Sequence, residues 1–251
     1  MSRTAWERDG FVIARGVFSP EEIQAAAADA DRVEREFKHL VSTQNRRCRW
    51  QDNVFTGECQ FDAFDPIIDL SPACAALARD PRLLSLLNDL YGEPAFLFKD
   101  KLIFKHPGAK GYALHQDWIA WGDTFPRSFL SLLVPLDPAD EENGCTIVYP
   151  GYHHNGSLTA EDGNYHELPA DTVDESRAVP LTLALGDVAV FGGFTPHRSN
   201  ANLADRPRRQ LYFSYTKESD GGDLRERHYK DFQEWLVRKY EEYGKTGTYF
   251  E

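Results

Sequence analysis

GDVAVFGGFTPHRSNAN, residues 186–202, gives the clearest indication of how this chain folds. The Gly-Asp pair at its start predicts a tight turn, and the apolar residues 188–191 predict a short strand. His197 then begins a second strand. A turn and two strands with no helix between them indicate antiparallel β-structure.

The same alternation of short strands and turns fills the centre of the chain. Pro-Gly and Asn-Gly pairs separate runs that are rich in β-branched and aromatic residues. The predicted strands cover residues 95–106, 112–117, 128–137, 145–149, 179–184, 188–191, 197–202 and 209–216. Eight short strands without alternating helices favour a jelly roll of two four-stranded sheets.

Helical sequence flanks this β-rich region. SPEE at residues 19–22 is typical of a helix start, because serine caps the helix, proline fits its first turn and the glutamates complement its dipole. Further helices are predicted at residues 71–78, 81–91 and 224–243.

The domain organisation follows from this pattern. We expect one mainly β domain with flanking α-helices over residues 1–251. Its predicted parts are a helical N-terminal part at about 1–94, a jelly-roll core at about 95–216 and a C-terminal helix at about 224–243.

Composition and charge exclude several classes of protein. The 251 residues are 41% hydrophobic and 27% charged, as in an ordinary folded domain. A net charge of −12 argues against a nucleic-acid-binding protein. No apolar run reaches the roughly 18 residues of a membrane span, and the N-terminus lacks the apolar core of a signal peptide. The four cysteines form no CxxC pair, which favours free thiols in a cytoplasmic protein.

ALHQDWIAW, residues 113–121, places an imidazole and a carboxylate two positions apart in an apolar run. On a strand His115 and Asp117 would point to the same face. Burial of either side chain is costly unless it is paired or ligated. Together they offer two ligands for a divalent metal. The alternative is a hydrogen-bonded His–Asp pair in the core or at the surface.

His197 is the candidate for a third ligand. In a jelly roll a late strand returns beside an early one, so a separation of about eighty residues from His115 is compatible with contact. Two histidines and one carboxylate with open positions form the facial triad of non-heme Fe(II) oxygenases. The sequence therefore predicts an Fe(II) site that leaves room for a co-substrate and O2.

Two arginines follow this histidine. Arg208 and Arg209 would face opposite ways on a strand. One could hold a carboxylate in the interior by a bidentate contact while the other is solvated. An interior arginine near the metal fits an anionic, chelating co-substrate such as 2-oxoglutarate. The alternative is that both are surface residues.

Several motifs in order resemble the phytanoyl-CoA dioxygenase-like (PhyH) family of Fe(II)/2-oxoglutarate oxygenases, which includes ectoine hydroxylase. The resemblance covers most of the chain. The similar segments are WERDGFVIARGVFSPEEIQ (6–24), HPGAKGYALHQDWIAW (106–121), PLDPADEENGCTIVYPGYHHNG (135–156) and LGDVAVFGGFTPHRSNANLADRPRR (185–209).

The resemblance implies a double-stranded β-helix, the cupin-like form of the jelly roll. It implies that the metal ligands are His115, Asp117 and His197. It further implies that the co-substrate is held by Arg208, Ser199 and Trp121. Related halogenases lack the metal-bound carboxylate, so the presence of Asp117 disfavours halogenation and makes hydroxylation the expected reaction.

The implied activity is that of a dioxygenase which hydroxylates a small metabolite and releases succinate and CO2. An amino acid or natural-product intermediate is the preferred substrate class, and an acyl-CoA or a phosphonate stays open. Candidate pocket residues flank the ligand segments: Trp118, Arg127, Phe194 and the loop 151–178, a candidate lid.

Two alternatives belong to other classes. A cupin-like metalloenzyme that does not use 2-oxoglutarate would produce no succinate and would not depend on Arg208. A non-catalytic β-barrel binding protein would bind no iron and would tolerate the loss of Asp117.

Overall fold

The computed structural model of the protein describes residues 3–118, 126–244 and 248–251. The helices in these ranges are α1 (Arg3–Asp9), α2 (Pro20–Glu36), α3 (Pro72–Ala78), α4 (Pro81–Tyr91) and α5 (Arg225–Glu242). The strands are β1 (Phe11–Ala14), β2 (Cys48–Asp52), β3 (Cys59–Phe64), β4 (Ala95–Ile103), β5 (Leu130–Pro135), β6 (Thr146–Val148), β7 (Val179–Pro180), β8 (Val188–Gly192), β9 (His197–Ser199) and β10 (Gln210–Lys217).

Two antiparallel sheets form the core. The larger sheet has the order β1-β8-β5-β10-β4-β3-β2, and the smaller has the order β7-β6-β9. Leu133, Ala189 and Phe191 of the larger sheet share one apolar cluster with Val148 of the smaller sheet. The side chains of the two inner faces therefore fill the space between the sheets, and the predicted jelly roll is confirmed. The prediction of two four-stranded sheets is wrong, because the described residues form sheets of seven and three strands.

Seven of the eight predicted strands are present and divide between the two sheets. Strands β4, β5, β8 and β10 lie in the larger sheet, and β6, β7 and β9 form the smaller one. The strand predicted at 112–117 is wrong in extent, because this segment contacts the smaller sheet through an isolated bridge at His115 and one hydrogen bond from the Ser199 N–H to the Tyr112 carbonyl. Its neighbouring carbonyl groups bond elsewhere, Ala113 to the His115 ring and Leu114 to the N–H of Leu168.

The N-terminal part is less helical than predicted. Strands β1, β2 and β3 all lie within residues 1–94 and extend the larger sheet at both edges. β1 is four residues long, which is too short to show a period. β2 (CRWQD) carries polar side chains on both faces and gives no alternating pattern.

Helices cover the outer face of the larger sheet. Leu132, Leu211 and Phe213 point away from the smaller sheet and pack in a cluster that includes Ile23 of α2 and Leu83 of α4. The inner face is left free to carry the polar side chains of a site. None of the helices in the described part of the chain combines the length and hydropathy needed to cross a bilayer.

The contribution of the α2 N-cap to stability can be tested by mutation. Ser19 Oγ accepts the Glu22 N–H at 3.3 Å, and the Glu22 carboxylate accepts the Ser19 N–H at 2.8 Å. Ser19→Ala should lower the free energy of unfolding by about 1 kcal/mol in chemical denaturation. Gln24→Ala, at an exposed position of the same helix, should change it by less than about 0.5 kcal/mol.

Candidate active site

The backbones of His115 and His197 are paired. The His115 N–H donates to the His197 carbonyl at 3.0 Å, and the His197 N–H donates to the His115 carbonyl at 2.9 Å. This bridge sets the two imidazole rings side by side, with centroids 4.2 Å apart. Asp117 Oδ1 lies 3.7 Å from Nε2 of each histidine. The structure thus brings together the three side chains predicted as a triad, with candidate ligand atoms within 4.8 Å of one another.

Hydrogen bonds to backbone carbonyls orient both rings. His115 Nδ1 lies 2.7 Å from the Ala113 carbonyl, and His197 Nδ1 lies 3.0 Å from the Thr195 carbonyl. A carbonyl oxygen only accepts, so Nδ1 carries the hydrogen and Nε2 keeps its lone pair. Metal-binding histidines are commonly held in this way by a second contact. Both Nε2 atoms are therefore free to bind a metal.

Asp117 is held by a strand of the larger sheet. Ser131 of β5 donates its hydroxyl to Asp117 Oδ2 at 2.7 Å, which leaves Oδ1 toward the histidines. Burial raises the pKa of the Asp117 carboxyl, but His197 and His115 outweigh burial and hold the pKa well below its usual range. Burial, and after it His115, lower the pKa of His197 to about 4. At neutral pH the site offers an ionised carboxylate beside a neutral imidazole, a donor set that suits Fe(II).

A cavity opens beside these three groups. Its lining consists of Lys101, Ile103, Tyr112, His115, Asp117, Thr146, His197, Arg198, Ser199 and Tyr212. Ser199 lies two residues after His197 on β9 and is buried on the same face. Its Oγ accepts from the Lys105 ammonium at 3.0 Å and from the Tyr112 N–H at 3.2 Å. The serine predicted to contact the co-substrate therefore lies in the same cavity as the triad.

Lys105 is buried next to this serine. Its backbone lies in the left-handed region, with φ of 33°, which is strained for a lysine. Its Nζ also donates to the carbonyls of Gly144 at 2.8 Å and Asn200 at 2.5 Å. Burial, with Arg208 as the second cause, lowers the pKa of Lys105 to about 6. Its three hydrogen bonds use all three N–H groups of an ammonium, so the lysine is a donor at this end of the cavity.

Arg208 is only 1% exposed. Its Nη1 donates to Gln210 Oε1 at 2.6 Å, and its backbone N–H donates to the Lys105 carbonyl at 3.2 Å. Arg208 Nε and Gln210 Nε2 are buried and have no hydrogen-bond partner among the described residues. Buried donors of this kind are costly unless a ligand accepts from them. A carboxylate would satisfy both, so this end of the site fits the far carboxylate of 2-oxoglutarate.

Arg209 points the other way, as the strand alternation predicts. It makes a two-pronged contact with Asp137 at 2.8 and 2.9 Å and also pairs with Asp31. Its side chain is 14% exposed, so it is an ion-paired residue under α2 and not a freely solvated one.

The predicted substrate-pocket residues form a separate aromatic cluster. Trp118 is buried and lies 5.0 Å from the Phe194 ring, and the Arg127 guanidinium lies 4.7 Å over the indole. Trp121, predicted to line the co-substrate, lies outside the described residues.

The loop at residues 151–178 is hydrogen-bonded to the segment that carries His115 and Asp117. Gln116, between the two candidate ligands, donates to the carbonyls of Gly156 at 2.9 Å and Phe194 at 2.7 Å. Its Oε1 accepts the Leu158 N–H at 2.8 Å. Tyr165 of the same loop lies 5.4 Å from the His115 ring. The candidate lid therefore lies over the triad in this structure.

Sequence reasoning missed three polar residues of the site: Lys101, Lys105 and Gln210. The sequence did contain a pattern that could have identified Lys101. Lys99 and Lys101 alternate with buried residues in β4, a strand whose two faces are both covered. Charged residues at period two in such a strand indicate a polar interior.

The hydrogen bonds that Gln116 makes predict that the loop backbone opens more often when they are removed. Gln116→Ala removes three hydrogen bonds and should speed amide exchange at Leu158 by about 5- to 100-fold. Mass-spectrometric hydrogen exchange measures this directly. Gln24→Ala is the control, and unchanged exchange at Leu158 in the first variant would contradict the proposed tie.

Comparison with known proteins gives one family match and several relatives. Residues 6–210 match the family Phytanoyl-CoA dioxygenase (PhyH). The chain is 29% identical over 234 residues to 2-aminoethylphosphonate dioxygenase of an uncultured bacterium, HF130_AEPn_1, which covers 92% of this chain and 86% of the relative. It is 39% identical over 143 residues to methylphosphonate hydroxylase of Gimesia maris, which covers 57% of this chain and 53% of that relative.

Solved structures share the fold. The crystal structure of EctD from S. alaskensis with 2-oxoglutarate and 5-hydroxyectoine superposes with a TM-score of 0.68. It is 24% identical and covers 88% of this chain and 78% of that chain.

Proposed function

Because this chain belongs to the phytanoyl-CoA dioxygenase (PhyH) family, and is thus an Fe(II)/2-oxoglutarate-dependent dioxygenase, we propose specific roles for its residues. Fe(II) is bound by His115, Asp117 and His197. The observation that carries this assignment is the convergence of two Nε2 lone pairs and one carboxylate oxygen within 4.8 Å. When bound, iron, 2-oxoglutarate and O2 supply the oxidation that replaces a C–H bond by C–OH, with release of succinate and CO2.

The co-substrate's far carboxylate is held by Arg208 and Ser199. The unpartnered Arg208 Nε and Gln210 Nε2 support this, as does the position of Ser199 beside His197. Trp121 is proposed to line the co-substrate as the family resemblance implies. These contacts fix the co-substrate relative to the metal, which is the protein's main contribution to such chemistry.

The reaction proposed is hydroxylation of a small metabolite. Asp117 occupies the position that a halogenase would leave open, and Ser131 fixes the carboxylate in place. Two of the relatives are named for phosphonates, so a small phosphonate is the substrate to test first. Amino acids and natural-product intermediates, favoured by the sequence, come next.

The setting proposed for this reaction is a single catalytic domain in the cytoplasm. A net charge of −12 supports action without nucleic acid, and the free cysteines Cys48, Cys59, Cys74 and Cys145 support a reducing compartment. The absence of a membrane-spanning helix from the described residues is compatible with action away from membranes.

A visible absorption band tests both the proposed metal ligands and the proposed contact between Arg208 and 2-oxoglutarate. Anaerobic addition of Fe(II) and 2-oxoglutarate to the purified protein should give the weak metal-to-ligand charge-transfer absorption of the chelate. Asp117→Ala should lose the band with iron binding. Arg208→Ala should need about 10- to 100-fold more 2-oxoglutarate, because a charge-assisted contact is removed.

Arg206→Ala is the matched control, since Arg206 is an exposed arginine paired with Asp140 and Glu142. Iron binding without a band in the unaltered protein would instead favour a cupin-like enzyme that does not use 2-oxoglutarate. A band that survives Asp117→Ala would show that the ligand assignment is wrong.

A further inference from the structure

Lys101 points into the cavity that holds the triad. It lies on the inner face of β4, opposite Tyr212 of β10, and lines the cavity together with His115, Asp117 and His197. Its Nζ lies 5.0 Å from the centroid of the Tyr212 ring. This places a lysine ammonium beside the metal site, on the wall formed by the larger sheet.

No carboxylate in the described part of the chain forms an ion pair with Lys101, although the protein is acidic overall. Its neighbour Lys99, two residues earlier, lies 3.7 Å from Asp65, which Arg49 also contacts. Lys99 thus shares one carboxylate with Arg49, whereas Lys101 contacts an aromatic ring and no carboxylate within ion-pair distance among the described residues.

The other charges of the loaded site balance without Lys101. Two positive charges of Fe(II) are matched by Asp117 and by the carboxylate of 2-oxoglutarate that binds the metal. The far carboxylate of the co-substrate is matched by Arg208. Lys105 lies at the co-substrate end, and the buried carboxylate of Asp62, which Tyr112 contacts, carries the opposite charge. Lys101 is therefore the one cation in this count that no anion of the loaded site matches.

We infer that Lys101 binds an anionic group of the substrate and makes the enzyme selective for small phosphonates. This inference rests on the proposed function, because it uses the site of that same reaction. A phosphonate presents three oxygens in a compact tetrahedron, to which an ammonium can donate. With the anion held at Lys101, a neighbouring C–H bond of a short molecule lies near the metal, since both groups line one cavity.

The chemical class of the anionic group can be tested with three ligands that share one aminoethyl chain. 2-Aminoethylphosphonate, β-alanine and propylamine carry a phosphonate, a carboxylate and a methyl group in turn. Each is titrated anaerobically into the Fe(II)–2-oxoglutarate complex, where substrate binding shifts the charge-transfer band. We expect the phosphonate to shift it at the lowest concentration and propylamine to have no effect.

Lys101→Met keeps the length of the side chain and removes its charge. It should weaken binding of 2-aminoethylphosphonate about 10- to 100-fold and leave formation of the 2-oxoglutarate band unchanged. Lys101→Arg should restore part of the affinity. Lys230→Met, at an exposed lysine on α5, should behave as the unaltered protein.

The remaining outcomes separate this inference from the proposed function. Equal phosphonate binding by Lys101→Met, equal response to β-alanine or propylamine, or no response to the phosphonate overturns the role of Lys101 and leaves the dioxygenase assignment standing. If Lys101→Met weakened the binding of 2-oxoglutarate as strongly as the binding of the phosphonate, Lys101 would belong to the co-substrate site. That result would also overturn the inference. Failure of the unaltered protein to form the band overturns the proposed function, and this inference with it.

Discussion

The paired backbone hydrogen bonds between His115 and His197 are the constraint on which the site depends. They join two segments that lie about eighty residues apart in sequence, and they close the smaller sheet where it meets the cavity. Because each ring also bonds a nearby carbonyl through Nδ1, the bridge determines where both Nε2 atoms point. Asp117 reaches the same point only because it follows His115 by two residues and is held by Ser131.

The interior of this jelly roll contains both an apolar cluster and several cations. Leu133, Ala189 and Phe191 belong to the cluster, whereas Lys101 lines the cavity of the triad and Lys105 and Arg208 are buried. Burial of so many cations is unfavourable unless anions accompany them. The described residues supply few beside Asp117, namely Asp62, which Tyr112 contacts, and Asp65, which Arg49 and Lys99 share. An enzyme that binds a dicarboxylate co-substrate and an anionic substrate supplies the rest.

Much of this could be predicted from the sequence. The family resemblance is confirmed by the match over residues 6–210, and seven of the eight strands predicted from turns and β-rich runs are present. The convergence of the triad was expected from the spacing of HxD and a late histidine. β1 and β2 were missed because a short strand, or one with polar side chains on both faces, shows no period. β3 (CQFDAF) does alternate apolar and polar residues over its first five positions, a pattern that predicts a strand and was overlooked. Gln210 was missed because an unpartnered amide is visible only once its neighbours are known.

The most direct test of the metal site is iron X-ray absorption on the anaerobic Fe(II) complex with 2-oxoglutarate. We predict the multiple-scattering pattern of two imidazoles per iron, with oxygen atoms in the remaining positions. His197→Gln should reduce the pattern to one imidazole, because its partner His115 is held independently by the Ala113 carbonyl. A spectrum with no imidazole, or one that His197→Gln leaves unchanged, would contradict the assignment of these residues as the metal ligands.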